Sequence, residues 1–98
     1  MLDYLAAMRA LVRSVDLGSF SKAAAAEGVK VSTVSRYVSA LEADLGAALL
    51  NRSTRGLHLT EAGTTFYRRA GQILADVEEA RTATTSFRTR ARNMCEEV

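Results

Sequence analysis

Between Gly18 and Leu45 this chain has few ways to fold. Ala23, Ala24, Ala25 and Ala26 are the strongest helix formers available, and Ser19 or Ser21 can cap the segment that holds them. A short helix is therefore expected over residues 20–27. Gly28 stops it, because glycine takes the left-handed conformation at low cost. A second helix is expected from near Ser32. Its apolar residues Val34, Val38, Leu41 and Leu45 stand at i, i+4, i+7 and i+11, which gathers them on one buried face. At about 100° per residue, Ser32, Arg36, Ser39 and Ala43 point the opposite way.

That outward face is small and hydroxylic, with one arginine. Such a face can enter a DNA major groove closely, and a helix-turn-helix presents it on its second helix. Arg36 can bond both acceptors of a guanine edge, with Ser32 and Ser35 beside it. Ser19, Ser21 and Lys22 stand at the start of the first helix of the pair, where backbone N–H groups and the helix dipole favour a phosphate.

Further motifs stand in one register with this pair. Gly18-Ser19-Phe20, Ala23-Ala24, Val34-Ser35-Arg36, Leu41-Glu42 and Leu45-Gly46 are followed by Leu49-Leu50, Arg52, Arg55 and Leu59-Thr60-Glu61-Ala62-Gly63. In this order and spacing, without a gap, the chain resembles the LysR-type transcriptional regulators over about residues 2–83. The resemblance implies a mainly α fold. A winged helix-turn-helix, three helices plus a two-stranded β wing, would occupy residues 1–60, and a long linker and dimerisation helix residues 61–98. It also implies transcription regulation through double-stranded DNA, read as an interrupted palindrome by a homodimer. Val31, Thr33 and Ser39 join the recognition helix's candidate contacts, and Thr54 those of the wing.

Two departures from the family pattern carry expectations of their own. Glu27 stands where leucine is usual. A buried unpaired carboxylate is costly, so Glu27 is expected at the rim, in water or paired, with Val29 filling the space beneath. Lys30 and Val31 replace a serine or proline and a polar residue, which makes Ser32 the expected helix cap. Val31 can touch a thymine methyl or simply pack.

The flanking segments read as follows. Residues 2–16 form a first helix with Leu5, Met8, Val12 and Val15 as its apolar stripe and Leu11 beside it; Arg9 and Arg13 lie on a solvated face. Residues 48–52 and 56–59 are extended, with turn residues Ser53, Thr54, Arg55 and Gly56 between them, which gives a hairpin. The resemblance implies that Arg55 at its tip contacts DNA, by entry into the minor groove; by its residues alone it reads as an exposed charged tip that meets a phosphate or nothing. Arg52 either reaches a phosphate or braces the wing. Thr60 can cap the helix that begins at Glu61.

From there an alternating four-three repeat of Phe66, Ala70, Ile73, Val77, Ala80, Thr84 and Phe87 continues towards the C-terminus. A seam that long exceeds what one small domain covers, and predicts pairing with a second helix. The family's large effector-binding domain is not among these 98 residues. An alternative role is therefore a truncated partner that forms mixed dimers with a full-length relative.

Net charge is only +2, so nucleic-acid binding must come from where the cations sit. Cys95 is the only cysteine, which excludes an intrachain disulfide and a thiolate zinc cluster and suits a reducing cytoplasm. The N-terminus lacks signal-peptide character, and no apolar run has the length of a membrane span. His58 has no cysteine, histidine or carboxylate cluster near it, and there is no glycine-rich phosphate loop. No catalytic residue, metal or cofactor is expected, and the chain is not expected to be an enzyme.

Overall fold

A computed structural model of the chain describes residues 2–53 and 56–96, with side chains as far as residue 85. Four helices and one hairpin follow in the order α1 (Tyr4–Leu17), α2 (Phe20–Glu27), α3 (Val31–Leu45), β1 (Leu50–Ser53), β2 (Gly56–Leu59) and α4 (Glu61–Glu96). α2 has the expected bounds. Ser19 caps it by accepting from the Lys22 amide at 3.1 Å, and Gly28 ends it at φ 69°.

α3 starts one residue before the expected cap. Lys30 takes the N-cap position without a side-chain hydrogen bond, and Ser32 sits exposed in the first turn instead of capping it. The buried stripe of α3 is Val34, Val38 and Leu41. Leu45, expected to continue it, is 43% exposed, because the helix has by then run past the edge of the core.

α1 also turns differently from the expected stripe. Asp3 caps it by accepting from the Ala6 amide at 3.1 Å. Its buried face is Ala7, Ala10, Leu11 and Ser14, while Leu5 is exposed and Met8, Val12 and Val15 flank the face half-buried. The reason is space. Ala10 meets Ala23, Ala24 and Val34, so α1, α2 and α3 approach closely over small side chains. Ser14 is satisfied there by donating to the Ala10 carbonyl at 2.7 Å. Leu11, Leu41 and Leu49 fill the other half of the core with Val38 and Leu50. Each fully buried leucine contributes about 1.5–3 kcal/mol.

Glu27 stands at the rim and accepts from Arg13 Nε at 3.1 Å, so the departure from leucine is met by an ion pair between α2 and α1. Arg13 is thus paired as well as solvated. Val29 does not fill the space beneath, and is 42% exposed.

The hairpin is antiparallel with Leu50 opposite Leu59 and Ser53 opposite Gly56. β1 begins later than expected, because the polar backbone groups of residues 48 and 49 have other partners. The Ala48 carbonyl accepts from the Thr60 hydroxyl at 2.6 Å and the Leu49 carbonyl from the Thr60 amide at 3.0 Å. Thr60 also caps α4, its hydroxyl oxygen accepting from the Gly63 amide at 2.9 Å. Gly63 lies against this junction. A Cβ there would stand 1.9 Å from the Leu49 carbonyl oxygen. Farther along α4, the Tyr67 hydroxyl donates to the Asp16 carboxylate of α1. That hydrogen bond first, then burial and the carboxylate's charge, raise the phenol's pKa above its usual value of 10.0.

Candidate nucleic-acid interface

α3 divides by face. Val34, Val38 and Leu41 are buried, while Val31, Ser32, Arg36, Ser39 and Ala43 are exposed and Thr33 and Ser35 partly so. The helix's carboxylates, Glu42 and Asp44, both stand near its C-terminal end. Its leading half therefore presents hydroxyls, one guanidinium and no negative charge. Val31 is 45% exposed and is not part of the buried core.

The start of α2 holds a second group of the expected contact residues. Ser21 and Lys22 are exposed, and Ser19 is half-buried with its hydroxyl engaged as the cap. Arg52 of β1 reaches across to α2, its guanidinium carbon 4.9 Å from the centre of the Phe20 ring. A cation over an aromatic face at an exposed site contributes about 0.5–1 kcal/mol. Of the two roles expected for Arg52, the geometry shows the brace. The residue stays exposed, so its N–H edges remain open to an outside anion. Thr54 and Arg55 lie outside the described residues.

Two residues of the sequence motifs, Glu42 and Gly63, join the elements that carry this surface. Glu42, on α3, accepts from the Leu49 amide at 2.8 Å and from the Leu50 amide at 3.4 Å, tying α3 to the root of β1. Gly63 lets the first turn of α4 touch the backbone of that same segment. A signal for Gly63 was present. Glycine in a helix costs about 1 kcal/mol relative to alanine, so its place just after a threonine cap needs a reason such as close approach.

The expected pairing seam is split by the fold. Phe66 packs on the chain's own core and Ala70 is buried there. Val77 is half-buried and lines a groove with Arg9, Val12 and Leu74 between α1 and α4. Ile73 is 40% exposed, and Ala80 and Thr84 are exposed. The side chain of Phe87 lies outside the described residues. Among the described residues no helix is long and apolar enough to cross a membrane.

The family model described as "Bacterial regulatory helix-turn-helix protein, lysR family" matches residues 5–64. An HTH-type transcriptional repressor of Pseudomonas aeruginosa is 44% identical over 78 residues, which are 80% of this chain and 25% of the relative. The HTH-type transcriptional regulator CrgA of Neisseria meningitidis is 49% identical over 71 residues, 72% of this chain and 24% of the relative. The chain thus spans about a quarter of the length of these curated relatives. Among solved structures, the BenM DBD/catB site 1 DNA complex superposes with a TM-score of 0.79 at 32% identity, covering 85% of this chain and 93% of that one. The CbnR DBD–DNA complex gives 0.74 at 32% identity, over 84% of this chain and 94% of that one.

Proposed function

Because this chain belongs to the lysR family of bacterial regulatory helix-turn-helix proteins, we propose that it binds double-stranded DNA site-specifically and regulates transcription, as a homodimer joined through α4. The observation that carries this reading is the exposed face of α3. Ser32, Arg36 and Ser39 stand clear of a core that takes only the opposite face of the helix. Two structural neighbours at 32% identity are complexes with DNA. On this reading residues 1–60 carry the DNA contacts and the helix from residue 61 onward links two copies. It is a binding module of the bacterial cytoplasm rather than an enzyme.

α3 enters the major groove with Val31, Ser32, Thr33, Ser35, Arg36 and Ser39 towards the bases and the adjoining backbone. Ser21 and Lys22 meet a phosphate at the start of α2, beside the Ser19 cap, and Arg52 extends that contact from β1. Thr54 and Arg55 serve the wing's contact, with Arg55 in the minor groove. Two copies then read an interrupted palindrome, with half-sites about one helical turn apart. Exposed Ile73, followed by Ala80 and Thr84, supports pairing along α4.

The test starts with selection of bound duplexes from a random DNA pool by the purified chain. Arg36→Ala is then expected to weaken discrimination at one base pair of each half-site by about 1–3 kcal/mol, roughly 5- to 150-fold. Discrimination is measured by competition among single-base variants of the selected duplex. An equal loss on every sequence, with a shallower dependence on salt, would assign Arg36 to phosphate instead. Selection that enriches no duplex would remove the DNA-binding reading.

A further inference from the structure

We propose that Glu42 is a positioning residue for DNA binding: its carboxylate fixes the root of the wing to the recognition helix and so sets where Arg52 stands relative to Arg36. The proposal rests on the DNA-binding reading above.

Glu42 lies six positions after Arg36 on α3, roughly 240° around the helix, so it faces away from the DNA side. The chain that leaves α3 folds back around this one residue. Its carbonyl oxygen accepts from the amide of Gly46 and, at 3.2 Å, from that of Ala47. Its carboxylate accepts from the amides of Leu49 and Leu50. A charged acceptor holding backbone N–H groups makes bonds about twice as strong as neutral ones. Leu49 and Leu50 are themselves buried, so the bonds sit at the edge of the core rather than in open solvent. Two residues beyond this anchor β1 carries Arg52, whose guanidinium lies over Phe20 at the start of α2. Arg52 is thus located by two links, one to each helix of the pair. With the Glu42 link gone, β1 keeps its hairpin partner, and Leu49 and Leu50 keep their place in the core beside Val38 and Leu41, but the hydrogen-bonded tie from α3 to the root of β1 is lost.

The experiment uses the whole 98-residue chain and a duplex selected by the wild type. Amide hydrogen exchange, read by NMR without DNA, checks the anchor itself. In Glu42→Ala the amides of residues 49 and 50 are expected to exchange at least about tenfold faster, with that of residue 41 little changed. Affinity for the duplex is expected to fall about tenfold well below the melting temperature, and its salt dependence to become shallower by about one charge. Glu42→Gln keeps an acceptor oxygen and should restore binding to within about threefold. Arg52→Ala should cost much less in the Glu42→Ala background than in the wild type, the sign of coupled residues.

Unchanged exchange at residues 49 and 50 would overturn the anchor, and additive losses from Glu42→Ala and Arg52→Ala would overturn the positioning role. A lowered melting temperature with unchanged affinity would also overturn it, by leaving Glu42 a structural part only. Glu42→Asp, one methylene too short to reach both amides, supplies the same readings should the alanine variant fail to fold. A wild-type chain that selects no duplex removes the functional reading and this proposal together, whatever exchange shows.

Discussion

Replacing Gly63 with alanine is expected to destabilise the chain by about 3 kcal/mol or more and to lower its melting temperature by more than about 10 °C. Helix propensity alone argues the other way, since alanine is favoured over glycine by about 1 kcal/mol inside a helix. Sterics decides the sign. The new Cβ would lie 1.9 Å from the Leu49 carbonyl oxygen and 2.8 Å from its carbonyl carbon, and both are backbone atoms that cannot swing away. Relief requires α4 to lift off, which breaks the bonds from Thr60 to Ala48 and Leu49. Each such bond contributes about 0.5–1.5 kcal/mol. Gly71, farther along the same helix, is the control, because a Cβ there meets nothing within 4 Å. Gly71→Ala should leave stability unchanged or raise it by up to about 1 kcal/mol. Thermal unfolding followed by circular dichroism measures both variants. A Gly63→Ala chain that melts within a few degrees of wild type would show that the junction yields.

The second large effect is expected from Ile73→Glu. Ile73 is 40% exposed on α4, about one turn beyond the buried Ala70. In a twofold pair both copies present the same patch, so one substitution places two carboxylates in the interface. Charges removed from water without partners cost several kcal/mol each, more than a narrow seam of small residues returns. The variant is expected to be monomeric at tens of micromolar by light scattering. Its affinity for a two-half-site duplex should fall about 100-fold or more, because linked binding of the second half-site is lost. Binding to a single half-site should change little. Wild-type chain that is itself monomeric at that concentration would refute the dimer. A monomeric variant with unchanged affinity for the full duplex would refute its role in recognition.

How much of the fold is legible in the sequence follows from how local each signal is. α2 was legible to the residue, since a serine cap, four alanines and a glycine stop all lie within ten positions. The outward face of α3 was legible for the same reason. The face of α1 was not. Apolar spacing draws attention to Leu5, Met8 and Val12, yet the neighbours of α1 leave room for Ala7, Ala10 and Ser14, and that room is set by α2 and α3. Val29 failed in the same way, because the residue opposite it cannot be known from its own surroundings. The pairing of Glu27 with Arg13 was half legible. Cost required a partner or water, but nothing in the sequence chose Arg13 across 14 positions. Glu42 and Gly63 could be noticed only as members of a pattern, since Glu42 acts on the backbone of residues 49 and 50 and Gly63 on that of residue 49, and neither leaves a periodic trace.

The alanine contact at the centre of the helix-turn-helix has a consequence for how stability varies with temperature. Ala10, Ala23 and Ala24 bury little apolar area each and surrender no side-chain rotamers on folding. The stretch of α4 from Arg81 to Thr85 is exposed throughout and unfolds with almost no burial to reverse. Heat capacity change tracks the apolar surface released, typically about 12–15 cal/mol/K per residue, or roughly 1.2–1.5 kcal/mol/K for a chain of this length. The single chain should fall below that range in calorimetry. Its stability curve is correspondingly flat: the winged domain is expected to change little in stability between a cold and a warm cell.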